Sequence, residues 1–312
     1  MKDQVRKWKN AHLNVVPKPV IRHVALKRIA ARDFSTPGIR YKIASTQEEL
    51  RHAFALLERS YVERGIAGSG QIRMKILNIL PTTTTFIALR GDAVVGTVSL
   101  IEDSELGLPI EQVHAEDVAR VRNRHRKLAE VGALALEKTE RRSAISIMLF
   151  NMLYRWARNW RRVDDLLIGI HPSARHFYDA VLQFRRIGAT RSYETLNGAA
   201  SVPMVLDAAG AQMRFHRLYS GKIIDRGAGL SFYDLFCAPS DRFDFSCHPD
   251  FRALSAATSP LQQGDVSAMV SDLARLEGGL AETEIRVLQK YFPKLNLTLT
   301  DATRQPETSH AW

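Results

Sequence analysis

The stretch RKLAEVGALAL, Arg126–Leu136, decides how this chain is read. It is a strand carrying one carboxylate, Glu130, among Leu128, Val131, Ala133 and Ala135. A carboxylate so placed is costly unless it is paired or used. Beyond it the period changes: Ile145, Met148, Leu149, Met152, Leu153 and Trp156 recur at the spacing of an amphipathic helix. DDLLIGI, Asp164–Ile170, is a second strand. Pro172 then opens a helix carrying Phe177, Tyr178, Val181 and Leu182, proline being suited to the first helical position. Strands near Ile187–Leu196 and Ser201–Asp207 follow.

Working upstream, TTTTFIALRGDAVVGTVSLI, Thr82–Ile101, is a hairpin, with two β-rich runs flanking Arg90-Gly91-Asp92. Residues 102–127 read as a loop with one helix. A helix is expected near Ile72–Leu80, stopped by Pro81. Thr46 with Glu49 has the Ser/Thr-x-x-Glu pattern of a helix start, and Leu50, Phe54, Leu57 and Tyr61 continue it toward Gly65. YKIA at Tyr41 is a short strand. This order predicts an α/β (α+β) domain over 41–212, a mixed sheet with helices packed on it. Residues 1–40, with Pro17, Pro19 and Pro37, read as a basic arm holding at most a short helix around Arg22–Arg32. Residues 213–312 read as a mainly helical extension, with an irregular region around Pro239, Pro249 and Pro260. Helices are expected at Val266–Leu276 and Glu282–Tyr291, before a polar tail from Asp301.

The chain has 312 residues, 45% of them hydrophobic, which excludes wholesale disorder. No run of about 18 apolar residues could cross a membrane. The two cysteines, Cys237 and Cys247, make no disulfide scaffold and fit a reducing cytoplasm, and the first residues lack the apolar core of a secretory signal. With His248 they contain no Cys-x-x-Cys pair, and His114, His125, His171 and His176 lack ligand spacing, so no metal is expected. The net charge of +11 is concentrated in two islands, residues 1–40 at +8 and 120–162 at +9. Such islands attract an anionic partner. Nucleic acid is disfavoured because aromatic residues at stacking positions are few.

The element order resembles the acyltransferase fold of the Gcn5-related N-acetyltransferase (GNAT) superfamily, whose sheet is mixed and mostly antiparallel. SYVERG (Ser60–Gly65), LGLPIEQV (Leu106–Val113) and RKLAEVGALAL look like its N-acyl amino acid synthase branch, relatives of the acyl-homoserine-lactone synthases. HPSARHFYDAVLQFRRIGA, His171–Ala189, is similar to the superfamily's last strand-to-helix segment. The likeness covers roughly residues 41–210. One departure is informative: the loop that cradles a diphosphate through glycine N–H groups in acetyl-CoA users is here EKTERRSAIS, Glu137–Ser146, without a glycine. A donor with one phosphate needs less of a cradle, and the resemblance implies such a donor, the 4'-phosphopantetheine of an acyl carrier protein, with no tightly bound cofactor.

The resemblance further implies transfer of a fatty acyl group from a thioester to the α-amine of an amino acid. Glu130 would then be the base, and the backbone N–H groups of Val131, Gly132, Ala133 and Leu134 would meet the oxyanion and the pantetheine arm. Tyr178 would protonate the leaving thiolate. Arg64 or Arg126 could grip the acceptor's carboxylate as a bidentate pair. Arg141 and Arg142 fall where a phosphate should arrive, within a basic island suited to an acidic carrier protein. Bland alternatives stand beside each: a Glu130 paired with Arg126 or Lys127, a core aromatic, solvated arginines. A CoA-dependent acyltransferase, and a non-catalytic module binding lipid, nucleic acid or protein, are the competing functions. Peripheral contact with a membrane surface stays open.

Overall fold

The computed structural model describes residues 16–238 and 260–295. Alternation along one hairpin organises the molecule. In β2 (Thr83–Arg90), Phe86 and Ala88 face one hydrophobic cluster, and Ile87 and Leu89 face another. A strand sends successive side chains to opposite faces, so a strand buried on both faces needs cover on both. β3 (Ala93–Glu102) pairs antiparallel with β2 and is nearly as buried. α4 (Ile145–Arg155) covers one face through Ile145, Met148, Leu149 and Met152. α2 (Gln47–Glu63) covers the other through Leu50, Ala53, Leu56 and Leu57, capped at its start by Thr46, which accepts the Glu49 N–H.

The remaining elements extend this sandwich. β1 (Ile39–Ile43) pairs with β2, and β4 (Leu128–Leu136) with β3. α3 (Glu111–Arg122) lies between β3 and β4, and β5 (Asp165–Ile170) runs parallel to β4. After α5 (Arg175–Ala180) come the short strands β6 (Arg185–Arg186) and β7 (Arg191–Tyr193), both paired with β8 (Ala199–Asp207). The sheet order is β1-β2-β3-β4-β5-β8-β6, antiparallel except at β4–β5. This is the mixed, mostly antiparallel sheet expected from the sequence. The helix expected over Ile72–Leu80 is only a 3-10 turn, Ile76–Ile79: Lys75 is extended, at φ −122° and ψ 166°, and its N–H bonds the Asn78 side chain at 2.8 Å, which closes the turn on its N-terminal side.

Both flanking regions join the core more closely than expected. Residues 18–30 form α1 (Lys18–Ala30), and Ile29 and Phe34 are each only 4% exposed within the main cluster. The supposed arm is therefore part of the fold from Lys18 on, held by two apolar side chains that the proline count concealed. After β8, α6 (Ala211–Tyr219), the two-stranded β9 (Ile223–Asp225) and β10 (Leu230–Ser231), and α7 (Phe232–Cys237) follow. They bring Phe215, Tyr219, Phe232 and Phe236 together edge to face and stacked. The aromatics near Asp225 cap the core; Phe243 and Phe245 lie outside the described residues. α8 (Gln263–Glu277) and α9 (Glu282–Tyr291) agree with the expected helices and pack on the α2 face. Among the described residues no helix is long and apolar enough to cross a membrane.

Truncating a buried phenylalanine costs about 3–5 kcal/mol. Phe34→Ala is accordingly expected to lower urea-unfolding stability by about that much, whereas Val20→Ala, at a residue 49% exposed, should shift it by less than about 0.5 kcal/mol.

Candidate active site

The central strand is where the sheet opens. β4 and β5 pair at Leu128–Asp165, Ala129–Leu166 and Glu130–Leu167, and there the ladder stops, although β4 runs on to Leu136 and β5 to Ile170. On its other edge β4 pairs Gly132 with Ser99 and Ala135 with Thr97, so Ala133 and Leu134 together oppose Val98. Ala133 sits at φ 52°, the left-handed conformation of a β-bulge. The extra residue reverses the facing of β4. Ala129 and Val131 touch the α4-side cluster before it; Leu134 and Leu136 do so after it. Gly132, Ala133 and Leu134 are half-buried in an otherwise buried strand, which marks an opening in the middle of the sheet.

Glu130 is the last paired residue before that opening. It is 7% exposed, and its Oε2 accepts the Ile110 N–H at 2.8 Å. Its Oε1 lies 3.8 Å from where a Cβ on Gly132 would be, an ordinary contact distance. Burial pushes the carboxyl up to about 8; the Ile110 bond opposes this and the nearby Glu111 adds to it. The Lys127 ammonium pairs with Glu102 and the Arg126 guanidinium with Asp207, so neither neutralises Glu130.

Two phenols, Tyr61 and Tyr193, feel the charge of this carboxyl, and a third, Tyr178, feels Tyr61. Tyr61, from the last turns of α2, has its pKa raised by burial, with Arg64 lowering it and Glu130 raising it. Tyr178, in α5, is pushed up to about 12 by burial, with Tyr61 contributing. Its ring packs edge-on against Phe150, Phe177 and Phe184. Tyr193, in β7, is raised first by burial, then by Glu130 and Tyr61. Tyr178 was legible in the sequence. Tyr61 lies within SYVERG but carried no separate signal there, and Tyr193 had none.

The arginines distribute differently from the expectation. Arg64 caps the C-terminus of α2, exposed and near the Tyr61 phenol, which keeps it at the group. Arg126 is not brought there: at the closed end of the β4–β5 pair it binds Asp207 at 2.5 Å and Asp165 at 3.4 Å. Arg141 pairs with Glu63 at 2.7 Å, whereas Arg142 stays exposed beside the glycine-free loop. The same loop is tied down by Arg90–Glu140 at 2.6 Å and Arg59–Glu137 at 2.5 Å. Arg32 also reaches it, donating to the Ser143 carbonyl at 2.9 Å, a contact across 111 positions that sequence spacing cannot reveal. Much of the basic island is consumed internally: Arg122 by Asp103 and Glu111, Lys127 and Arg161 by Glu102, and Arg155 by Asn151 and three backbone carbonyls. The burial of Cys237 pushes its thiol up to about 11, so it stays protonated near neutrality; Cys247 is outside the described residues. Two surface hollows, one lined by Arg158, Phe236 and Cys237 and one by Lys18, Arg175 and Arg185, do not include Glu130.

A mixed, mostly antiparallel sheet parted beside a bulged central strand and flanked by helices is the GNAT fold. The chain belongs to the N-acyl amino acid synthase FeeM family, whose profile matches residues 52–207, and it is an N-acyltransferase. Among solved structures it is similar to FeeM, an N-acyl amino acid synthase from uncultured soil microbes. The two are 29% identical with a TM-score of 0.52, over 57% of this chain and 95% of that one. An N-acetyltransferase from Staphylococcus aureus Mu50 is 16% identical, with a TM-score of 0.38 over 55% of this chain and 98% of its own. An acyl-CoA N-acyltransferase from Pseudomonas aeruginosa is 13% identical, with a TM-score of 0.38 over 54% and 98%. No curated protein matches the chain.

A carboxyl at about 8 in the folded state and 4.5 ordinarily holds a proton that the unfolded chain releases. Its contribution to stability is therefore full below about 4.5 and is lost as pH rises through 8. Glu130→Gln should raise Tm at pH 8.5 and by much less at pH 5, measured by calorimetry against the unaltered chain.

Proposed function

We propose that this chain transfers a long-chain fatty acyl group from the 4'-phosphopantetheine thioester of an acyl carrier protein to the α-amine of an amino acid, by direct attack. The observation that carries the reading is Glu130 itself. It stands where β4 and β5 part, and its carboxyl titrates near 8, close to the pH at which a base works best.

In this reading the amine enters the gap and Glu130 accepts its proton. The nitrogen attacks the thioester carbon, a C–N bond forms, and the C–S bond breaks as the tetrahedral intermediate collapses. N–H groups along Val131–Leu134, past the end of the β5 ladder, receive the oxyanion. The Tyr178 phenol stays protonated through the working range and donates to the departing sulfur. Arg64, exposed beside the Tyr61 phenol, grips the acceptor's carboxylate. A Cys237 thiol protonated near neutrality is a poor nucleophile, which supports transfer without an acyl-enzyme.

The carrier-protein donor is supported by the loop Glu137–Ser146, which has no glycine to admit a diphosphate and presents the exposed Arg142. The second reading is a CoA donor; at the N-terminus of α4 the Ile145 N–H already bonds Ser143 Oγ, and the Ile147 and Met148 N–H groups bond the Ala144 carbonyl, which leaves little of that terminus for a diphosphate.

Expression in a bacterial host should yield new lipid ions, seen by mass spectrometry, at fatty acyl plus amino acid minus water; their absence from active, soluble protein offered several amino acids would count against the reading. With purified substrates, Glu130→Gln should lower turnover by about 10²–10⁴-fold with substrate binding retained. Arg142→Glu should slow carrier-dependent turnover by about tenfold and leave acyl-CoA turnover unchanged if any occurs. Equal loss with both donors would point to a shared phosphate contact.

A further inference from the structure

Much of the second basic island is spent inside the protein, so the charges free to meet a partner have to be sought elsewhere. α1 carries Lys18, Arg22, Lys27 and Arg28 and no acidic residue. Its inner face is covered: Ala25, Leu26 and Ile29 pack into the main cluster. Arg22 is used on that side too, donating to the Ala180 carbonyl at 3.1 Å. The outer face is not covered. Val20 and Val24, one turn apart, are 49% and 43% exposed, and His23, Lys27 and Arg28 are exposed beside them. Among the described residues neither Lys27 nor Arg28 has an ion-pair partner.

Two sets of contacts fix this face next to the donor side of the site. At one end Lys18 pairs with Asp179 at 2.7 Å, and Asp179 follows Tyr178 in α5. At the other, Arg32, two residues past α1, donates to the Ser143 carbonyl at 2.9 Å and reaches Ser146 Oγ at 3.4 Å. α1 thus spans from the helix of Tyr178 to the loop Glu137–Ser146, where Arg142 is exposed. A helix of 13 residues is roughly 20 Å long, enough to seat one helix of a small protein. The hollow at its N-terminal end adds Arg175, Arg185 and Arg186, with Asp179 the one acid among the described residues that line it.

Cations in a last turn favour the helix dipole, which accounts for Lys27 and Arg28 but not for two uncovered valines between Lys18 and Lys27. An apolar centre rimmed by one sign of charge fits a protein surface of carboxylates around an apolar strip. A helix that rests on a membrane presents Trp, Phe or Leu to it, and two valines bury too little for that. Single-stranded nucleic acid needs aromatic platforms, and the outer face of α1 has none.

We propose that the outer face of α1 is the docking surface for the acidic acyl carrier protein, with the phosphopantetheine arm passing Arg142 toward the gap beside Glu130. The inference rests on the carrier-protein donor reading. α1 lies outside the matched family region, which begins at residue 52, so the surface comes from this chain's own N-terminal segment.

Holo-acyl carrier protein is titrated into the 15N-labelled full-length protein. Amide shifts should concentrate at Val20, Val24, Lys27, Arg28 and Arg142; shifts confined to other elements overturn the proposal. Lys27→Glu with Arg28→Glu, shown folded by circular dichroism, should weaken carrier binding by about tenfold. KM for the acyl carrier protein should rise by the same factor, with kcat within about twofold. The loss should shrink as salt is raised. Val20→Ser with Val24→Ser should weaken binding by about threefold at every salt concentration. Arg286→Glu makes the same kind of charge change on α9, packed on the α2 face, and should leave binding within about twofold. Wild-type affinity in both folded double variants overturns the docking face and leaves the donor reading standing. A wild-type chain that binds no carrier protein, and instead turns over acyl-CoA or sediments with phosphatidylglycerol vesicles, overturns both.

Discussion

A peptide group cannot stay buried without a hydrogen-bond partner, and in this molecule β4 is denied its partner on one side halfway along its length. β5 stops pairing at Glu130, and the backbone beyond is left facing a gap in the centre of an eight-stranded sheet. The bulge at Ala133 is the compensating distortion on the other edge. It keeps β4 registered with β3 and turns Ala133 and Ala135 toward the α2 face. The gap beside Glu130 and the partial exposure of Gly132, Ala133 and Leu134 derive from that one interrupted ladder.

Electrostatics follow the same logic of local need. A basic chain of this kind suggests a broad cationic face, yet most arginines of the second island answer carboxylates or carbonyls a few ångströms away. Arg122 clamps Asp103 and Glu111 at the mouth of the loop before α3. Arg155 holds the end of α7 through three carbonyls. A buried arginine with satisfied donors is structural. Arg64, Lys138 and Arg142 are among the charges that face outward on this side of the sheet. The Glu130 carboxyl is treated in the opposite way: it has a backbone N–H but no cation, and burial pushes it up to about 8. Function and stability pull against each other at this residue.

Much of this was readable from the chain alone. Length, period and turn residues located the hairpin, the central strand, the helices after Thr46 and at Ile145, and the two C-terminal helices, because each is dictated by neighbours within a few positions. Glu130 stood out for the same reason, as one carboxylate in an apolar strand. Arg126 misled because sequence distance from Glu130 is short while the strand carries it to the closed end of the ladder. The supposed N-terminal arm misled because prolines are visible in a sequence and the packing of Ile29 and Phe34 is not.

Local order, then, was set by the sequence itself: periodicity and capping need only the residues of one segment. Tertiary structure alone decided where β5 leaves β4, that Tyr61 and Tyr193 reach one carboxyl from two elements, and that His114 and Ser201, 87 positions apart, touch. Those facts depend on strand register and on helices crossing the sheet. A titration near 8 depends on them as well, since burial is a property of the assembled fold and of no segment within it.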